Sequence, residues 1–516
     1  MEFLRNTSRT SATTEHVSWH KWVDVCILIF INFCNYNDRY SLAGILIDVQ
    51  AEFDIRNEAA GLIQTLFIVP YTLSAPVFGF FGDRYNRKYI LAFGVGLWNA
   101  ATVACSFSNT YWLFLLFRSV MGLGQACFTT VSPSIISDLF VGDRRSRLLA
   151  IFYTAIPVGN GMAYVVGAQA TELLGTWRWS LRVPVFVGVM NVLLILLVLR
   201  HPQRGEVEGR HMSATPWTKD LVYLLTNKSF MFCTLGFTAV AFTAGVTTWW
   251  APKLNVLGFR LHRPDVNQYT ESSLFGIVSM VSGFLGLLIG YVATFQAKES
   301  YPPVDPLVCA VGLVISAPLM TGATYASMSD RITTYALLFG GFVFMNLNWA
   351  LTVDICMNVV VPSRRALAMG MQLLIGHTFG DAGSPSLTGL ISDRLYDHYQ
   401  EVEEKETNEF YSLQHAYFLG MAVELLAGVF FFLNAAFIMK DLLKIDEGAQ
   451  NEEQAEAAKS QANSTDDAGT KKHSWKEDPW EVIIIKTIKF EHYTALTWSM
   501  TIVINDLQLS VYDWGF

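Results

Sequence analysis

The chain has 516 residues, of which 52% are hydrophobic, 14% aromatic and only 16% charged, with a formal net charge of −8. Soluble domains carry about 25% charged residues, so the composition excludes an ordinary water-soluble globule. The acidic balance, concentrated in loops and tail, argues against a nucleic-acid partner. The remaining charges fall in short runs between apolar stretches of roughly 20 residues, the length a helix needs to cross hydrocarbon. The reading is an all-α membrane protein. Residues 1–21 are polar and the first apolar run is too long for a signal-peptide core, so insertion is expected through the first crossing.

The first crossing, 22–47, carries Asn35-Tyr36-Asn37-Asp38-Arg39-Tyr40 near its middle. Charges at that depth are expensive unless they face a polar cavity or one another. Arg39 is therefore a candidate for an anionic headgroup, and Asp38 for taking and releasing a proton. A self-compensating Asp38–Arg39 pair that only fixes packing is the structural alternative.

The second crossing, 59–81, ends in Gly79-Phe80-Phe81-Gly82-Asp83-Arg84-Tyr85-Asn86-Arg87-Lys88. The two glycines allow close helix approach, and the basic residues hold the loop on the cytosolic face. After the third crossing, 89–107, the fourth, 111–140, holds Arg118 followed by Gly122, Gly124 and Gln125. Arg144, Arg145 and Arg147 come next and would join the same cytosolic network as the first basic loop. The fifth crossing, 147–174, contains Ile156-Pro157-Val158-Gly159-Asn160-Gly161, where a helix can bend or small residues simply pack. The sixth is 181–199.

A polar loop at 200–229 separates this six-helix bundle, 22–199, from a second one at 230–440. Its crossings read 230–251, 274–295, 307–325, 333–360, 366–390 and 416–439. The eleventh places His377 and Asp381 at i, i+4, on one face of a helix, making His377 a candidate pH sensor; a satisfied buried histidine competes with that. Asp354 and Glu424 are further intramembrane acids, each open between pairing and function. Residues 441–516 form a tail in which 446–470 should be disordered, while the role of 471–516 is not legible.

Arg and Lys crowd the loops at 82–88, 141–147 and 200–229, so both termini are expected in the cytosol. The sequons at Asn6, Asn227 and Asn463 all fall on that side, where they would stay unglycosylated. The seven cysteines lie in or beside apolar stretches without metal or disulfide spacing. They read as packing residues, and no cofactor or metal is expected. Phosphate-binding, serine-hydrolase and zinc-protease motifs do not occur, so a transporter is favoured over a pump driven by ATP or an enzyme.

The strings G-x-x-x-D-R-x-x-R-K from Gly79 and R-x-x-x-G-x-G from Arg118 resemble signatures of the major facilitator superfamily. NYNDRY, GLIQTLFI, FGFFGDRYNRK, SPSIISDLFVGDRRSRLLAIFYTAIPVGNG, WRWSLRVP and GDAGSPSLTGLISDR are similar, more narrowly, to the Spinster family of lysolipid and sphingolipid transporters, over about residues 32–440. The resemblance implies a twelve-helix facilitator fold in two six-helix pseudo-symmetric halves. It implies secondary active or facilitated transport of a lysophospholipid or sphingosine phosphate by alternating access, proton-linked or not, in the late-endosomal or lysosomal membrane, by a monomer. A smaller organic anion or sugar phosphate is the alternative substrate.

It also implies that Asp38, Arg39 and Arg118 line the cavity and that His377 responds to protons. Tyr36 and Gln125 join Arg39 and Arg118 as candidates to meet the substrate, and Asp381 joins Asp38 and His377 as a candidate for proton coupling. Gly79, Asp83, Arg84, Arg87, Arg144 and Arg145 would form a cytosolic latch between the halves. One departure stands out: Gln125 occupies a position where this family usually has an acid, which weakens any expected proton coupling.

Overall fold

The computed structural model describes residues 19–140, 142–200, 217–295, 297, 301, 303–361, 364–399 and 405–466. The expectations for 1–18, the 201–216 part of the central loop and 471–516 lie outside the described residues. Six crossings make the first half: α1 (Trp19–Tyr40) with the short α2 (Leu46–Phe53) beyond it, α3 (Asn57–Arg84), α4 (Arg87–Phe107), α5 (Tyr111–Leu139), α6 (Gly142–Leu174) and α7 (Arg178–Leu197). The linker contains a helix that the sequence reading did not foresee, α8 (Trp217–Thr226). Asn227 then caps the next helix, its side chain accepting from the Phe230 amide at 2.9 Å.

The second half comprises α9 (Lys228–Arg260), α10 (Gln268–Phe295), α11 (Val304–Ala326), α12 (Arg331–Asn346) with α13 (Asn348–Asn358), α14 (Arg365–Gly376) with α15 (Ser384–Tyr399), and α16 (Lys405–Asp466). α16 continues straight through 446–466, where disorder was expected. Ala, Glu, Gln and Lys dominate that segment, and all are strong helix formers that extend a helix already nucleated.

Among the described residues, ten helices are long and apolar enough to span a membrane. The two remaining crossings, the first and the eleventh, each carry two charged or titratable residues near their centres, Asp38 with Arg39 and His377 with Asp381. Both are also broken. α1 stops at Tyr40 rather than running to 47, and Ser41 just beyond it donates to the Asp38 carbonyl at 3.1 Å. Residues 41–45 are all buried, which is what irregular backbone at membrane depth requires. The eleventh crossing passes through a single π turn, His377–Asp381, between α14 and α15. Such bulges mark functional sites more often than ordinary helix does.

Within each half the helices pack as a bundle, α3 and α4 against α5, α1 against α6, and α9 and α11 against α16. Between the halves, α3 packs on α15 and α6 on α10. These are crossings two with eleven and five with eight, so exchanging the halves maps one pair onto the other; this is the pseudo-symmetry. The Pro157–Gly161 string leaves α6 unbroken and serves that contact. A Cβ at Gly161 would lie 2.5 Å from the Gly276 carbonyl oxygen.

The halves are stitched together from mid-depth to the end opposite residues 84–88. Thr65 Oγ1 donates to the Ala382 carbonyl at 2.5 Å, Tyr164 Oη to the Thr248 carbonyl at 2.7 Å, and Gln268 Nε2 to Asp48 Oδ1 at 2.8 Å. That end is shut.

Candidate functional site

The charged positions of the first, fourth and eleventh crossings meet at mid-depth. Arg39 and Arg118 are both buried, and an Arg118 Nη2 lies 3.5 Å from the Arg39 carbonyl oxygen it points to. They share one site rather than facing lipid on opposite sides. Arg39 does not pair with its neighbour Asp38, since adjacent helical residues point apart. Its Nη2 instead lies 3.6 Å from Asp381 Oδ2 in the other half. Its guanidinium sits among the rings of Tyr71, Phe67, Tyr40 and Tyr36, at 4.8 to 6.0 Å from their centroids.

Asp38 accepts a hydrogen bond from Trp98 Nε1 at 3.0 Å, while its second oxygen has no partner. Asp381 lies between two cations or potential cations. His377 Nδ1 is 2.9 Å from its Oδ1, and Arg39 faces the other oxygen. The π turn sets that geometry. Its closing bond runs from the Ala382 amide to the His377 carbonyl, five residues back, yet the two side chains still meet as the i, i+4 spacing implied. His377 is edge-on to Tyr71 at 6.0 Å, so it too bridges the halves.

Arg118 is fully buried beside the Phe67 ring, 4.9 Å from its centroid. Among the described residues no carboxylate comes within ion-pair distance of it. Its partners are Gln64 Oε1 at 3.4 Å, the Arg39 carbonyl and Met121 Sδ. Among the described residues, Arg39 Nε and Arg118 Nε have no acceptor, and Arg39 Nη2 has only the Asp381 carboxylate, at 3.6 Å. A buried donor left unmade costs about 1–3 kcal/mol, more when charged, so this site is built with its hydrogen-bonding unfinished. Gln125 tethers α5 to α1 through a 3.2 Å bond from Nε2 to the Asn35 carbonyl, leaving Oε1 unpartnered. Gly122 brings α5 close to α3; a Cβ there would lie 2.2 Å from the Phe67 carbonyl oxygen.

Gln64, Trp98 and Tyr71 were not singled out by sequence. Gln64 stands in the GLIQTLFI string, where one amide inside an apolar run was the available signal. Lys253 was assigned to a loop, but α9 runs on to Arg260 and buries it. Asp354 is half-buried on α13 and Glu424 fully buried on α16.

The basic loop after the second crossing is organised within the first half. Arg87 is buried, pairs with Asp138 at the end of α5 and donates to the Gly82 carbonyl at 3.2 Å. Arg84 stacks on Phe80 at 4.0 Å. Gly79 and Gly82 face Thr130 and Val131 of α5. Among the described residues, these contacts brace α3, α4 and α5 of the first half. Arg144 is exposed and Arg145 half-buried; the Asp83 side chain lies outside the described part. A separate cavity of about 240 Å³ opens at the far end of the second half, lined by His262, Arg263, Glu271 and Arg331 among others. Glu271 is already engaged there by Arg331 at 3.1 Å and Tyr335 at 2.9 Å.

Residues 28–385 match the family model described as Major Facilitator Superfamily. The chain is 41% identical over 479 residues to Protein spinster of Drosophila melanogaster, covering 84% of this chain and 79% of that one. It is 42% identical over 434 residues to human Protein spinster homolog 1, covering 81% of each. Among solved structures, a bacterial homolog to the human lysosomal transporter Spinster, in an inward-facing and unoccupied conformation, superposes with a TM-score of 0.72 at 19% identity. That match covers 82% of this chain and 98% of the other. A nucleoside transporter, NupG, shares the fold at a TM-score of 0.62 and 14% identity, covering 80% of this chain and 99% of that one.

Proposed function

This chain belongs to the spinster family of the major facilitator superfamily, and on that premise we propose that it carries amphipathic lysolipids, of lysophospholipid or sphingosine phosphate type, by alternating access. It is a multi-pass integral membrane transporter, not an enzyme; the substrate, the coupling and the compartment are the proposal. The observation that carries it is the unfinished hydrogen bonding of Arg39 and Arg118. Buried guanidinium groups with unfilled donors match the planar, multidentate acceptors of a phosphate. The rings of Tyr36, Phe67 and Tyr71 beside them suit the glycerol or alkyl part of an amphipathic molecule.

With both termini and the basic loops in the cytosol, the end shut in this conformation faces the lumen of a late endosome or lysosome. The headgroup arrives from the cytosolic end and competes with Asp381 for Arg39, loosening an ion pair that joins the halves. Asp381 is then left with His377 alone, already 2.9 Å away, the pair serves as the proton-responsive group, and Asp38 holds or releases a proton beside Trp98. The halves rock, and the loop from Gly79 to Lys88, with Arg144 and Arg145, steadies the cytosol-closed state. Gln125 carries no proton, so coupling rests on Asp38, His377 and Asp381 or gives way to facilitated diffusion.

The test is uptake of a labelled lysophospholipid by proteoliposomes. Arg118→Ala should reduce uptake to background with an unchanged melting temperature. Full activity in that variant removes the headgroup role, and uptake of a sugar phosphate without uptake of lysolipid overturns the substrate class.

A further inference from the structure

The N-terminus of α3 has no cap of its own. Arg56 precedes it in extended conformation without a side-chain capping bond, which leaves the first amides of the helix in need of acceptors. Two of them find one in the other half of the molecule. Asp393 Oδ1 accepts from the Asn57 amide at 3.1 Å, and Oδ2 from the Glu58 amide at 2.8 Å. Arg56 Nε is 3.9 Å from the same carboxylate, and its Nη2 donates to the Asp393 carbonyl at 3.1 Å. The Asn57 side chain donates to Ser392 Oγ at 3.0 Å and accepts from Lys253 Nζ at 2.8 Å. Lys253 also pairs with Glu409 at 3.0 Å. Glycines on both helices let α15 come this near α3: a Cβ at Gly389 would lie 2.2 Å from the Asn57 carbonyl oxygen, and one at Gly61 would lie 2.3 Å from the Pro385 carbonyl oxygen.

We propose that Asp393 is the lock of the end opposite residues 84–88: a carboxylate of the second half that caps a helix of the first, and does so only while that end is closed. The charge on Asp393 also meets the positive end of the α3 dipole, so capping and closure are one interaction. When the halves part there, α3 loses its cap and Asp393 loses two amide donors. The neighbouring Arg56–Asp397 pair, at 2.8 Å, is solvent-exposed on both sides and contributes little by comparison. This role presupposes the alternating-access reading of the family. Its readout is conformational and needs no substrate, so its failure would leave the lysolipid proposal standing.

The experiment measures electron–electron distances in the full chain between spin labels at Asn109→Cys and Ser329→Cys. Both positions are exposed, on far-end loops of opposite halves, and the exposed Cys26 is replaced by Ser. Asp393→Ala should lower the ratio of short to long distances about tenfold, which is about 1.4 kcal/mol and in the range for loss of an N-cap. Asp393→Asn, equal in size and uncharged, should shift it in the same direction if the alanine variant does not fold. Asp397→Ala should leave the distribution unchanged. Unaltered distances in folded Asp393 variants, or an equal shift from Asp397→Ala, would overturn the assignment.

Discussion

Two groups of charges join the halves, and they are finished to different degrees. At the far end, the Asp393 carboxylate receives two amides, Lys253 meets Gln50, Asn57 and Glu409, and Asn57 is bonded on both sides of its amide. At mid-depth, Arg39, Arg118, Asp38 and Gln125 are as deeply buried, yet each keeps at least one polar atom without a partner. Both regions bury charge between the same two bundles. The far-end groups named here have their bonds made, which favours one arrangement of the backbone, although Asp48 Oδ2 nearby has no partner among the described residues; unfinished charged groups in a low-dielectric site are poised to take up a polar group from elsewhere. On the function and the lock proposed above, the first is a fastening and the second a binding site.

Four changes would break or sharpen this contrast. The largest effect is expected for Arg39→Ala, which removes the guanidinium that both Asp381 and an anionic headgroup address. Lysophospholipid uptake should fall at least about 100-fold, equivalent to about 2.7 kcal/mol of transition-state stabilisation, with the far-end distances retained. Gly389→Ala acts on the fastening alone. It should hold the far end apart, lengthen the spin-label distance and cut uptake about tenfold, because the cycle loses one of its end states.

Gln125→Glu puts an acid at the α5 position that now bonds the Asn35 carbonyl, one helical turn from Asp38 on α1. Uptake driven by a pH gradient should rise about threefold over wild type, roughly 0.6 kcal/mol; equal, strong proton dependence in both would show that Gln125 does not weaken coupling. Smallest is Lys253→Met, which keeps the buried stem and removes the ammonium. It should lower thermal stability by about 1 kcal/mol in a melting experiment and leave substrate affinity unchanged. A loss of affinity there would erase the distinction between the two regions.

Ten of the crossings stand out by hydropathy, because the bilayer imposes length and apolarity on a span, and the first and eleventh show as apolar runs interrupted by polar residues. Asp38, Arg39, Arg118, His377 and Asp381 were legible too, since charge inside an apolar run is conspicuous. Their partnerships were not. Adjacent Asp38 and Arg39 suggested a local pair, but Arg39 meets an acid in the eleventh crossing, and no local pattern encodes contact across so long a stretch of chain. Trp98 looked like one more apolar side chain until Asp38 appeared at its indole nitrogen. Helix ends were misplaced where polar residues sit inside helices, as at Lys253, or where good helix formers lie beyond the membrane, as in 446–466. Asp393 falls three residues beyond the expected end of the eleventh crossing, with no signal of its own, and a cap supplied by another bundle is invisible without tertiary structure.

The π turn at His377–Asp381 fixes the rotational phase of everything after it. A residue adds about 100° of helical rotation, so shortening this turn by one residue would swing the whole of α15 about its own axis. Asp393 and Gly389 would then face lipid or α16 instead of α3, although both lie about two to three turns away. One wide turn therefore aims two sites at once: it presents His377 and Asp381 to Arg39, and it aligns the rod that carries the distant clasp.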